Sequence, residues 1–202
     1  MADKVDLRKD LKALYAGTKD RIVVVEVPPL GFLMVDGAGD PNTAPAYREA
    51  VEALYAVAYT LKFAMKEQGR DFAVGVLEGL WWADDPAVFL SGDRALWHWS
   101  MMIAVPDFVT PAAVDAAKAK AAGKKDLPGA ARLRWGRYDE GVAVQTLYLG
   151  PYSGEGPTIA GLHAHIKGLG KRLYGRHHEI YLSDPRRTAP EKLKTIIRQP
   201  FW

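Results

Sequence analysis

At 202 residues with 49% hydrophobic side chains, the chain is long enough for one large core or two small ones, and too apolar to be disordered. Its net charge of +3 is too small to mark a nucleic-acid partner, and no apolar run nears the roughly 20 residues that a membrane-spanning helix needs. The lack of cysteine excludes disulfides and thiolate metal sites and fits a reducing compartment, so a cytoplasmic location is expected.

The first twenty residues are charged and hold no signal-peptide core. They read as a helical extension over 1–20, with Leu7, Leu11, Leu14 and Tyr15 at helical spacing. This is too short for a helix-turn-helix or winged-helix domain. Arg21 to Val35 is rich in Val and Ile and reads as strand, interrupted at Pro28-Pro29. Asp36-Gly37-Ala38-Gly39-Asp40 reads as a loop, and no Gly-Lys-Ser/Thr follows to make it a phosphate-binding one. Asn42 or Thr43 is placed to cap a long helix whose apolar positions are Tyr47, Val51, Leu54, Ala58, Leu61 and Met65, with Gly69 as its stop.

A strand follows at Phe72–Trp82, a turn at Ala83–Pro86, and a second strand at Ala95–Val105. Thr110-Pro111 opens an alanine-rich helix that ends at Gly123. Arg132–Tyr138 and Val142–Leu149 read as a hairpin across Asp139-Glu140-Gly141. A turn at Gly150–Gly154 leads to a helix carrying Ile159, Leu162, Ile166, Leu169 and Leu173 on one face, ended by Gly175. His177–Ser183 and Lys194–Phe201 are the last strands. Strands, helix, strand, strand thus occur twice, with a period of about 100 residues, over 21–109 and 110–202. The implied class is α+β, with helices backing antiparallel sheets.

Each half places a glutamate inside an otherwise aromatic and aliphatic strand: Glu78 and Glu179. Strand alternation puts Glu179 on one face with His177, Tyr181 and Ser183, and Glu78 with Val76, Leu80 and Trp82. A desolvated glutamate is a candidate general base or cation partner. Trp97 and Trp99 share one face, as do Thr146 and Tyr148, and four of the six tryptophans lie between residues 81 and 99. The expectation is a pocket lined by Trp82, Trp97, Trp99 and Tyr181, with both acids facing a shared cleft. His163 and His165 point apart on a helix, and His177 and His178 point apart on a strand, so no metal site is expected. Basic residues near the C-terminus, among them Lys167, Lys171 and Arg172, read as a solvated face, and no direct nucleic-acid binding is expected.

Asp40-Pro41-Asn42-Thr43, Glu78-Gly79-Leu80-Trp81-Trp82, Leu149-Gly150-Pro151-Tyr152 and the run His177–Arg187 resemble the GyrI-like small-molecule-binding family, from about residue 20 to the end. The resemblance implies a tandem pair of strand-helix-strand-strand units (the SHS2 arrangement) around a ligand groove. The family includes drug-sensing domains of transcription regulators that bind bulky lipophilic, often cationic, compounds. The branch of free-standing proteins resembles hydrolases that open the cyclopropane ring of DNA-alkylating natural products, which implies a detoxifying role. No DNA-binding domain is attached to this sequence, so the regulator reading needs a partner. The resemblance carries a groove acid onto Glu179, and Glu78, Trp82 and Tyr148 with it, and adds Tyr152 as a ligand-binding residue. It implies no cofactor, an aromatic or lipophilic small molecule as partner, and leaves the oligomeric state open.

Overall fold

The elements follow one another as α1 (Leu7–Asp10), α2 (Lys12–Tyr15), β1 (Val23–Val27), β2 (Leu30–Ala38), α3 (Pro45–Glu67), β3 (Leu77–Trp82), β4 (His98–Val105), α4 (Pro111–Ala122), β5 (Arg134–Tyr138), β6 (Gly141–Leu149), α5 (Gly156–Gly168), β7 (His177–Tyr181) and β8 (Lys194–Pro200). The computed structural model describes residues 4–85, 88 and 93–202, so Pro86 of the expected turn lies outside the described residues. The class is α+β, as the alternation of strand and helix patterns implies.

The chain divides into two units, Met1–Asp10 with Leu30–Tyr138, and Leu11–Pro29 with Asp139–Trp202. These limits cut across the sequence repeats. β1 lies in the first repeat but pairs antiparallel with β6, with Val23 opposite Gln145. Helix α4 and strand β5, from the second repeat, belong to the first unit. Pro28-Pro29 lacks the backbone donors that a continuous strand would need, which separates β1 from β2. The expected hairpin does not form: β5 pairs with β2, whereas β6 pairs with β1 and β8. Gly141 turns there at φ 71°, and Glu140 beside it is drawn into a buried ion cluster instead of an exposed hairpin tip.

In the first unit the strand order is β3-β4-β2-β5, every pair antiparallel. Helix α3 buries Ala50, Leu54, Val57, Leu61 and Met65, spaced three and four apart. Each fully buried Leu or Val contributes about 1.5–3 kcal/mol. Its first turn is not capped by Asn42 or Thr43; Ala44 is the N-cap, and Asn42 bonds to Asp40 Oδ1 instead, its backbone N–H at 2.9 Å. Gly69, at φ 76°, terminates it as expected. Strand β2 extends through Ala38, where the sequence reads a loop. Gly37 lies opposite Trp99, and a methyl group there would overlap the indole ring, so this glycine makes room for a ring and does not make a turn.

In the second unit the order is β1-β6-β8-β7, again antiparallel throughout. Leu162 and Ile166 of α5 pack on Val144 and Ile197. This helix ends at Gly168, with Gly170 at φ 71° beyond it, before the Gly175 stop that the sequence marks. Leu169 and Leu173 therefore fall outside it and stay about half exposed.

Candidate functional site

Strand register arranges side chains in rows across the second unit. Tyr148, Thr195 and Tyr181 form one row, and Thr146, Ile197 and Glu179 the next. Ile197 packs under α5, so this whole face looks toward the helix. Glu179 is held from both sides along its own strand. Tyr181 Oη donates to Glu179 Oε2 at 2.8 Å, and His177 Nε2 lies 3.2 Å from Oε1. A carboxylate only accepts, so His177 Nε2 carries the hydrogen. Tyr152, in a 3-10 turn at Tyr152–Gly154, sets its ring edge-on to Tyr181, centroids 5.5 Å apart, and remains partly exposed. Burial first, then the negative charges of Glu155, Glu179 and Asp184, push the Tyr152 hydroxyl up to about 12.

Tyr148 lies on the same face as Thr146, as strand alternation implies, and its hydroxyl is engaged locally. Its hydroxyl donates to the Pro151 carbonyl at 3.0 Å and lies against Gly150 and Gly154, where an added Cβ would collide with it. It clamps the turn that leads into α5. Burial, and then Glu155, raise its pKa.

Two residues on this side, Glu155 and His163, have no place in the sequence-based site. Glu155, at the N-cap of α5, is only 3% exposed and does not cap its helix. Burial, followed by the charge of Glu179, pushes it up to about 9, while the neighbouring Thr195 hydroxyl acts the other way. His163 on α5 has its pKa lowered by burial and by His177. The Glu155 Oε1, His163 Nε2, His177 Nδ1 and Thr146 Oγ1 atoms are buried without a hydrogen-bond partner among the described residues. Orphans of this kind are rare in native proteins, and several on one face point to a site that a ligand or water completes. The signal for Glu155 was its position, an acid in a Gly/Pro-rich turn just before a helix, which reads as a routine helix start.

The opposite face of the same sheet holds a closed ion cluster. Arg198 donates to Gln145 Oε1 at 2.9 Å, to Glu140 Oε2 at 2.9 Å and to the Leu14 carbonyl at 2.7 Å. His178 Nδ1 meets Glu140 Oε1 at 3.0 Å, and Gln145 Nε2 donates to the Ala13 and Ala16 carbonyls. Burial is the largest influence on Glu140 and would raise it, but His178 and Arg198 together outweigh it and hold the carboxyl at about 2. This cluster ties the α2 segment to the sheet.

In the first unit the register puts Glu78, Leu80 and Trp82 on one face with Met102, Ser100 and His98. Trp82 stacks on His98, centroids 5.7 Å apart. Trp99 pairs with Trp81 on the other face, against Tyr47 of α3 at 5.3 Å, is fully buried, and donates from Nε1 to the Gly39 carbonyl at 3.3 Å. Trp97 contacts Trp81 and Arg94. The expectation that Trp97 and Trp99 surround Glu78 is therefore corrected. They lie on the α3 side and Glu78 on the reverse, because an odd spacing along paired strands changes the face. Glu78 itself is buried, at 2% exposure.

The profile of the GyrI-like small-molecule-binding domain matches residues 21–201. The chain belongs to the GyrI-like family. Among solved structures, this GyrI-like chain is similar to an uncharacterised conserved protein from Listeria innocua, at 41% identity and a TM-score of 0.91, covering 98% of this chain and 100% of that one. A hydrolase from Listeria innocua is 40% identical with a TM-score of 0.85, over 98% and 100% of the two chains. The C-terminal domain of EcmrR, at 12% identity and a TM-score of 0.56 over 90% and 97%, shares the fold. No curated protein sequence matches the GyrI-like chain. Among the described residues no helix is long and apolar enough to cross a membrane.

Proposed function

We propose that this GyrI-like protein binds flat, aromatic, lipophilic compounds at the Glu179 face of its second unit and hydrolyses those that carry a strained cyclopropane. The observation that carries the reading is Glu179 itself, a mostly buried carboxylate aimed by His177 and Tyr181 and bordered by the Tyr152 ring. The 40% identity to a hydrolase over the full chain supports a hydrolytic role. In the step envisaged, Glu179 takes a proton from water while the water oxygen bonds to the cyclopropane carbon. The ring C–C bond breaks, its electron pair moves onto the conjugated oxygen, and that oxygen is protonated. The net change is the addition of one water.

The test is mass spectrometry of products after incubation with cyclopropane-bearing alkylators. Ring-opened, water-added product at catalytic protein is expected. General-base catalysis contributes about 10²–10⁴-fold, so Glu179→Gln lowers single-turnover rate by that order with an unchanged melting temperature. A folded variant with undiminished turnover ends the assignment.

A second reading, sequestration of a lipophilic cation without turnover, is favoured by the pairing of two tyrosine rings with a carboxylate. Cation–π contacts contribute about 0.5–2 kcal/mol each. It requires quenching of protein fluorescence by a cationic dye such as a rhodamine, and weaker binding of a neutral analogue.

A further inference from the structure

Ring opening leaves an electron pair on a phenolate oxygen, and that oxygen needs a proton. Two tyrosine hydroxyls on this face are already committed, Tyr148 to the Pro151 carbonyl at 3.0 Å and Tyr181 to Glu179 at 2.8 Å. Tyr152, pushed up to about 12, is a poor acid. Glu155 remains. It is buried, leaves its helix uncapped, neighbours Glu179 and Thr195, and carries a buried Oε1 with no partner among the described residues. A buried carboxyl with one free oxygen beside a carboxylate keeps its proton, since two like charges that close cannot both form in a poorly hydrated site.

We infer that Glu155 is the proton donor that complements Glu179, so that the site works with a carboxylic acid and a carboxylate side by side. This rests on the hydrolytic reading above. The groups that interact with Glu155 are Glu179 on β7, Tyr148 on β6, Thr195 on β8 and Tyr152 in the preceding turn, while His163 on α5 interacts with His177 on β7. Burial and the charge of Glu179 hold Glu155 at about 9, so it carries its proton at neutral pH. In the balanced step, water gives one proton to Glu179 as its oxygen bonds to carbon. The ring C–C bond breaks, and the new phenolate takes the proton of Glu155. Transfer of a proton from Glu179 to Glu155 then restores the pair.

Glu155→Gln keeps the side-chain volume and removes the acid. Its ring-opening rate is expected to fall about 10²-fold on substrates that leave a weakly acidic phenol, and by less where the product phenol is more acidic. The wild-type rate falls as pH rises through about 9, and this limb is absent from the variant. Infrared difference spectra of wild type against Glu155→Gln at neutral pH show one protonated-carboxyl band. An equal loss across all phenols marks a structural role and overturns the proposal, as does a missing band. If Glu155→Gln runs at full rate while Glu179→Gln is inactive, the donor assignment falls and the hydrolytic reading stands. If the wild type opens no cyclopropane, both fall.

Discussion

Strands β3 and β7 each carry one glutamate among aromatic residues, yet the two acids have different surroundings within their own units. Glu179 faces the unit's helix, among tyrosines, histidines and a second acid. Glu78 faces away from α3, among Leu80, Met102 and Trp82, while the tryptophans at 81 and 99 take the helix side. The strands look alike in composition but differ in phase by one residue. A shift of one position in a period-two element exchanges the two faces, so similar composition does not imply an equivalent role. On the helix side of the second unit the helix start brings a buried Glu155 next to Glu179. In the first unit the corresponding side is filled by close-packed rings.

This contrast can be broken at several points. The largest effect is expected at the cluster behind the Glu179 face. Arg198→Met leaves Glu140 buried with only His178, and breaking such a pair costs about 3–5 kcal/mol, read as a lower urea midpoint. A loss below about 1 kcal/mol would mean that the cluster does not hold the α2 segment.

Two acids of the second unit also predict opposite responses to pH. Glu140 is depressed to about 2, so its contribution to stability is present above the ordinary carboxylate value near 4.5 and is lost as pH falls toward 2. Glu155 is raised to about 9, so the folded state binds the extra proton and stability declines as pH rises from about 4.5 through 9. Melting curves across both ranges check this: Glu155→Gln flattens the alkaline decline and leaves the acid one.

A smaller effect is expected at Gly37→Ala, which drives a methyl group into the Trp99 ring and costs about 1–3 kcal/mol if that face is rigid core. A variant as stable as wild type would show the ring free to move, as a ligand-lining ring must be. The smallest is Glu78→Gln, expected to lower single-turnover rate less than Glu179→Gln does. Equal losses would restore the two acids to equal roles.

Much of the architecture was legible because it is local. Helix α3 follows from three-and-four spacing and its glycine stop, α4 from Thr110-Pro111, where the threonine hydroxyl accepts from Ala113 N–H at 3.3 Å, and β8 from its β-branched run. Alternation placed His177 and Tyr181 beside Glu179 correctly, because neighbours two apart on a strand need no tertiary information. The family resemblance read from motifs agrees with the matched domain at 21–201.

Partner choice was decided only by the tertiary structure. Nothing local tells β5 to pair with β2 and not with β6, or assigns β1 to the unit of β6, since ladder bonds are made by backbone groups that every strand carries. The same holds for the site. Glu155 lies 24 positions before Glu179 in sequence, at a helix start where a charged, solvated carboxylate is the ordinary reading. Its burial beside a second acid arises when α5 packs on β6 and β8, and desolvation is a property of the packed state that no stretch of sequence contains.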